Sequence, residues 1–152
     1  MSEDDVMESR LRPTTAFSRG LRLRCAWCGS RRTFVRRWLG KYPRCRTCGL
    51  EWRREEGFEL GPVALNTVIT FFSLTVGMAV GFIVSYPDIA VWPIIGWGVA
   101  IAVLLPILIY PLTFTVWFAF DVVAHPPEAA ELAIASAYVS AQAAQSTAER
   151  SR

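Results

Sequence analysis

Charge is missing from two long stretches of this 152-residue chain. No Asp, Glu, Lys, Arg or His occurs over residues 60–87 or 89–120, gaps of 28 and 32 residues. About 20 apolar residues cross a bilayer as a helix, so each gap has room for a span. A water-soluble globule is close to excluded. Histidine occurs once, at His125, and lysine once, at Lys41. No Ser/His/Asp set, no carboxylate pair and no phosphate-cradling glycine loop is present, so the chain does not read as an enzyme. No apolar segment follows Met1 closely enough to be a signal peptide. Outside the apolar part, roughly 60 residues precede and 30 follow, and domains that small need a staple.

Four pieces follow from the pattern. Residues 1–20 read as a disordered tail, with acidic Glu3, Asp4, Asp5 and Glu8, then Pro13-Thr14-Thr15, and no apolar periodicity. Residues 21–56 carry all the cysteines. Residues 61–124 form the apolar part. Residues 126–152 begin Pro126-Pro127 and turn Ala-rich. Glu128 and Glu131 suit a first helical turn, and Arg150 and Arg152 suit its end, giving a marginal, partner-dependent helix or tail.

The first span is expected over residues 62–86, opening at Gly61-Pro62, because proline costs no hydrogen bond in a first turn. Pro87-Asp88 is a turn, and a second span over 92–112 starts at the interfacial Trp92. The pair is an antiparallel transmembrane hairpin. The second apolar run would be about 48 Å long as a helix, against about 30 Å of hydrocarbon. Pro106 and Pro111 lie inside it. Either one helix tilts and kinks, or an interfacial helix over 111–124 follows the span. Asn66 is costly in lipid unless bonded, and Thr113, Thr115 or a partner protein could meet it. Gly77 and Gly81 permit close helix approach.

Charge sets the direction. Residues 10–59 carry thirteen Arg and one Lys against four Glu, a net +10, whereas the connecting loop has only Asp88. The positive-inside rule places both termini in the cytoplasm of a multi-pass membrane protein.

The cysteines are paired: Cys25-Ala-Trp-Cys28-Gly29 and Cys45-Arg-Thr-Cys48-Gly49, with sixteen residues between Cys28 and Cys45. Two C-x2-C turns at this separation make a tetrahedral four-cysteine zinc site. Each turn presents two thiolates to one edge of the tetrahedron, and the glycine permits the positive φ that such a turn requires. Thr33-Phe34-Val35, Arg37-Trp38-Leu39 and Leu50-Glu51-Trp52 are strand-like, with a turn at Gly40-Lys41-Tyr42-Pro43. A cytoplasmic four-cysteine zinc ribbon is therefore expected, a small β unit. A thioredoxin-like site lacks its βαβ setting, haem attachment lacks its histidine, and a disulfide pair lacks an oxidising compartment. Iron is a minor alternative to zinc with the same ligands. Four protein ligands leave no open position for water, so the metal would be structural.

Arginine crowds the ribbon. Arg31, Arg32, Arg36, Arg37, Arg53 and Arg54 are candidates for contact with anionic lipid headgroups, each worth roughly 1 kcal/mol beside a membrane. Nucleic acid is not expected, because the ribbon is tethered within about 10 residues of the first span. No small-molecule substrate is evident. Thr113, Trp117, Asp121 and His125, four apart, share one helical face. They form a candidate docking face; the plainer expectation is a wet surface with an i,i+4 Asp121–His125 pair.

These features together resemble a bacterial inner-membrane family, domain-of-unknown-function family nine-eight-three. The resemblance runs from about Arg24 to Pro127. It rests on the two CxxCG turns, Leu50 after the second, the Gly61-Pro62 start, and Tyr110-Pro111 followed by Trp117 and Asp121. Relatives often carry a basic residue just after that proline; here Leu112-Thr113-Phe114-Thr115 is uncharged. The resemblance implies a ribbon with two spans and no established activity. Some members are encoded near respiratory oxidase genes, which suggests assembly. The leading expectation is a non-enzymatic adaptor or scaffold in a larger membrane complex, with a membrane-protein partner. The alternatives are a metal- or redox-handling assembly factor for an oxidase and a membrane-tethered nucleic-acid regulator.

Overall fold

The computed structural model describes residues 12–31, 35–37, 40–54, 56–89 and 91–150. Expectations for Arg32, Thr33, Phe34, Trp38, Leu39 and Arg152, and for residues 1–11, lie outside the described residues. The described chain is mostly helical, with two long apolar helices and one four-cysteine cluster.

Helix α1 (Pro13–Leu21) starts on a proline, whose missing N–H would have had no helical partner anyway. The expected disordered tail over 1–20 therefore fails for residues 13–20. The reason is a partner far along the chain. Ala16 and Gly20, one turn apart, are buried. A Cβ on Gly20 would come within 2.9 Å of the Thr115 carbonyl oxygen, so only glycine allows this approach. Thr115 Oγ1 donates to the Gly20 carbonyl at 2.8 Å.

Strands β1 (Val35–Arg37) and β2 (Gly40–Lys41) pair antiparallel, Val35 opposite Lys41 and Arg37 opposite Gly40. A single bridge joins Arg44 and Glu51. Among the described residues the β content is thus one short hairpin and one bridge.

Helix α2 (Leu60–Ser85) and helix α3 (Val91–Ala124) are each long and apolar enough to cross a membrane. They run antiparallel. Gly77 lies beside Trp97 and Ile101, and Gly81 beside Ile94, so both glycines serve this pairing. Asn66 Nδ2 donates to the Pro106 carbonyl at 3.0 Å, and not to Thr113 or Thr115. Thr67 and Thr70 donate back into their own helix, to Val63 and Asn66 carbonyls.

Helix α3 is one element of 34 residues with Pro106 and Pro111 inside it. A separate interfacial helix over 111–124 does not exist. What changes at Tyr110 is the surroundings. Val103, Leu104, Ile107 and Leu108 are exposed, whereas Pro111, Thr113, Phe114, Thr115, Phe118, Ala119, Asp121 and Val122 are buried. Its second half is apolar because the chain's own N-terminal part covers it, and charge would be as costly there as in lipid.

Three elements provide that cover. Helix α1 lies along Thr115 and Ala119. The start of α2 lies against Trp117, whose indole occupies the space a Cβ on Gly61 would need. Trp52 and Phe58 pack edge-to-face on Phe114 and Phe118, with Trp52–Phe118 centroids at 4.7 Å. Such pairs add about 0.5–1.5 kcal/mol each beyond their buried area.

Of the expected Ala-rich helix or tail, the structure has the helix, α4 (Ala129–Arg150). Glu131 accepts the Glu128 N–H at 3.1 Å, which closes the first turn. Ala135 is buried, while residues 143–150 are exposed throughout.

Candidate metal centre

The two cysteine turns have matching geometry. In the first, the Gly29 N–H donates to the Cys25 carbonyl at 2.8 Å and the Cys25 N–H to the Ser30 carbonyl at 3.0 Å. In the second, the Gly49 N–H donates to the Cys45 carbonyl at 2.8 Å and the Cys45 N–H to the Leu50 carbonyl at 2.9 Å. Gly29 and Gly49 have φ of 76° and 73°, a region closed to most side chains. The Cys48 N–H also points at Cys45 Sγ, 3.4 Å away.

These turns face each other. Cys25 Sγ lies 3.9 Å from Cys48 Sγ, and Cys28 Sγ lies 3.7 Å from Cys45 Sγ. All four sulfurs lie within 4.8 Å of one another, and none is in a disulfide. A tetrahedral metal with bonds of about 2.3 Å to sulfur needs sulfur–sulfur edges of about 3.8 Å. The donor set fits such an ion. Cys25 and Cys45 are fully buried, Cys28 and Cys48 partly so. Hydrogen bonding with Cys28 and the other two cysteines, and then burial, pushes the Cys25 thiol well above the ordinary range. Hydrogen bonds from Cys25 and Cys28 hold Cys45 well below it. Four thiolates share this space only with a cation among them.

Both turns are braced from behind. Arg19 Nη1 of α1 donates to the Ala26 and Trp27 carbonyls at 3.0 and 2.8 Å. The Ala135 carbonyl of α4 fills the space that a Cβ on Gly49 would take. The Arg44 guanidinium sits 5.4 Å from the Tyr138 ring centroid. Sequence spacing gave no signal for any of these, because each partner comes from a distant segment.

Arg54 links the cysteine segment to two helices. Its guanidinium donates to Glu131 of α4 at 2.9 Å, to Asp121 of α3 at 3.4 Å, and to the His125 carbonyl. The Arg54 side chain is only 8% exposed. It is therefore not available to lipid, contrary to the expectation for it. Arg53 is exposed and pairs with Glu59, Arg31 is exposed, and Arg36 and Arg37 lie in β1.

The Thr113–Trp117–Asp121–His125 face is not a wet surface. Thr113 is buried and donates to the Tyr110 carbonyl, Trp117 covers Gly61, and Asp121 is paired with Arg54. His125 alone is open, its Nδ1 3.7 Å from Asp121 Oδ1. The chain's own segments occupy this face, so most of it is closed to a partner. The lone acid that ends a long uncharged run was the available sign of a buried cation, though not of which one.

No curated protein and no solved structure gives a significant match to this chain. The family described as "Protein of unknown function (DUF983)" matches residues 34–120. That segment is shorter at both ends than the expected Arg24–Pro127. It holds Cys45, Cys48, α2 and nearly all of α3, and it leaves out Cys25, Cys28, α1 and α4. With more than half of its length matched, the chain belongs to the DUF983 family.

Proposed function

We propose that this is a non-enzymatic integral protein of the bacterial inner membrane, whose zinc-holding cytoplasmic domain acts as an adaptor within a larger membrane complex. Helices α2 and α3 form a transmembrane hairpin, with both termini in the cytoplasm and Asp88 outside. Zinc binds Cys25, Cys28, Cys45 and Cys48 as a structural ion. One observation carries the reading: the cysteine domain shares its aromatic core with the end of an apolar helix, through Trp52, Phe58, Phe114 and Phe118. A domain fixed in this way presents its outer surface at one height and orientation above the membrane, which suits a scaffold. The full burial of Cys25 and Cys45 favours a retained ion over one handed on, as in a metal-handling assembly factor.

Elemental analysis of detergent-purified protein tests the metal. One zinc per chain, kept against a mild chelator, is the expected result. Iron in its place would overturn the zinc assignment, and quick loss to the chelator would turn the reading towards a metal carrier. Reporter fusions before Met1 and after Arg152 should both read cytoplasmic. A periplasmic signal from either defeats the hairpin.

A further inference from the structure

A cavity of about 290 Å³ lies where the second cysteine turn meets α3. Tyr42, Trp52 and Phe114 supply aromatic walls, and Glu51, Arg53 and Glu59 supply charge. Two carboxylates face two guanidiniums, Arg53 in the lining and Arg44 beside it, so the charge of the site is balanced. Arg44 engages Glu51 from the flank, and Arg53 engages Glu59. Carboxylates beside aromatic faces attract an ammonium group, and Arg53 at the same mouth can donate to a phosphate.

Its depth says where such a zwitterion comes from. Phe114 lies within one turn of Pro111, where α3 passes from exposed to buried. Glu59 is the last charged residue before the apolar run of α2. One turn further along the same face of α2 is Val63, exposed, with Leu60 exposed beside it. If the membrane reading above holds, the cavity opens at headgroup level and these apolar side chains continue from it into the hydrocarbon.

We infer that this cavity binds the headgroup of a zwitterionic aminophospholipid, its ammonium among Glu51, Glu59 and the aromatic walls and its phosphate at Arg53, with the acyl chains along Leu60 and Val63. This differs from general attraction of the arginines to anionic lipid, because a lining of balanced charge matches a headgroup that carries both signs rather than a net anion.

The test uses the full chain in bilayer discs of equal phosphatidylethanolamine and phosphatidylglycerol, then mild detergent and native mass spectrometry of the retained lipid. The wild-type protein should keep phosphatidylethanolamine over phosphatidylglycerol by about tenfold or more, equivalent to about 1.4 kcal/mol. Glu59→Gln should erase that preference at unchanged zinc content, and Tyr42→Leu should reduce it independently. Equal retention of both lipids, or a preference unchanged in both variants, overturns the inference. Soluble O-phosphoethanolamine held as well as the lipid would overturn the acyl part. Protein that an alkaline wash strips from the discs would instead overturn the membrane reading, so the two failures are distinguishable.

Discussion

Cys25→Ser, or a strong chelator if the four cysteines hold zinc as proposed, should unfold both cysteine turns while α2 and α3 stay helical. About 30 residues with one short hairpin bury too little to fold alone, whereas a structural zinc contributes on the order of 10–16 kcal/mol in small peptides. The long helices satisfy their backbone internally and need no metal. Helices α1 and α4 should loosen as well, because Arg19 holds the carbonyls of the first turn and Ala135 rests on the second. Amide hydrogen exchange reads this directly. Protection should vanish around Cys25–Gly29 and Cys45–Trp52 and persist from Thr67 to Gly81. Metal-free protein that keeps its protection across both cysteine turns would show the ion to be incidental to the fold.

Arg54→Met should cost about 3–5 kcal/mol, the penalty for removing one member of a buried charge cluster. Asp121, with a side chain 10% exposed, would then lose its guanidinium partner, and Glu131 would lose one too. The exposed Arg53–Glu59 pair makes the contrast, since Arg53→Ala should cost less than about 1 kcal/mol. Denaturant titration in detergent, followed by zinc release, measures both. Combining Arg54→Met with Asp121→Asn should recover part of the loss, because the charge is removed along with its partner. A cost below about 1 kcal/mol for Arg54→Met would mean that water reaches the cluster and that the three segments are held by packing alone.

The four-cysteine cluster was legible because its chemistry is local: two CxxCG turns are recognisable whatever surrounds them. The apolar helices were legible because length without charge has few soluble uses. Helix α1 was not. Its nine residues include few apolar side chains, and its helical state depends on Gly20 meeting Thr115, 95 residues away. The end of α3 misled for a related reason. An uncharged run looks the same whether lipid or protein will cover it, so Phe114 and Phe118 read as membrane residues when they are core. Asp121 was legible as one of four residues on a shared helical face, but Arg54, 67 residues earlier, was one of many arginines, and only the fold selects it.

Because α3 continues unbroken from exposed to covered surroundings, it is also a lever. Residues 111–124 extend about 20 Å past the point where the covering begins. The cysteine domain is fastened to that arm by the aromatic cluster and Arg54. Spans alter their tilt when the hydrocarbon thickens or thins. A change of about 10° would swing the end of the arm by roughly 3–4 Å, and the cysteine domain would move with it as one body. If α3 crosses a bilayer as proposed, the height and angle at which the domain meets its surroundings would thus follow the thickness of that bilayer.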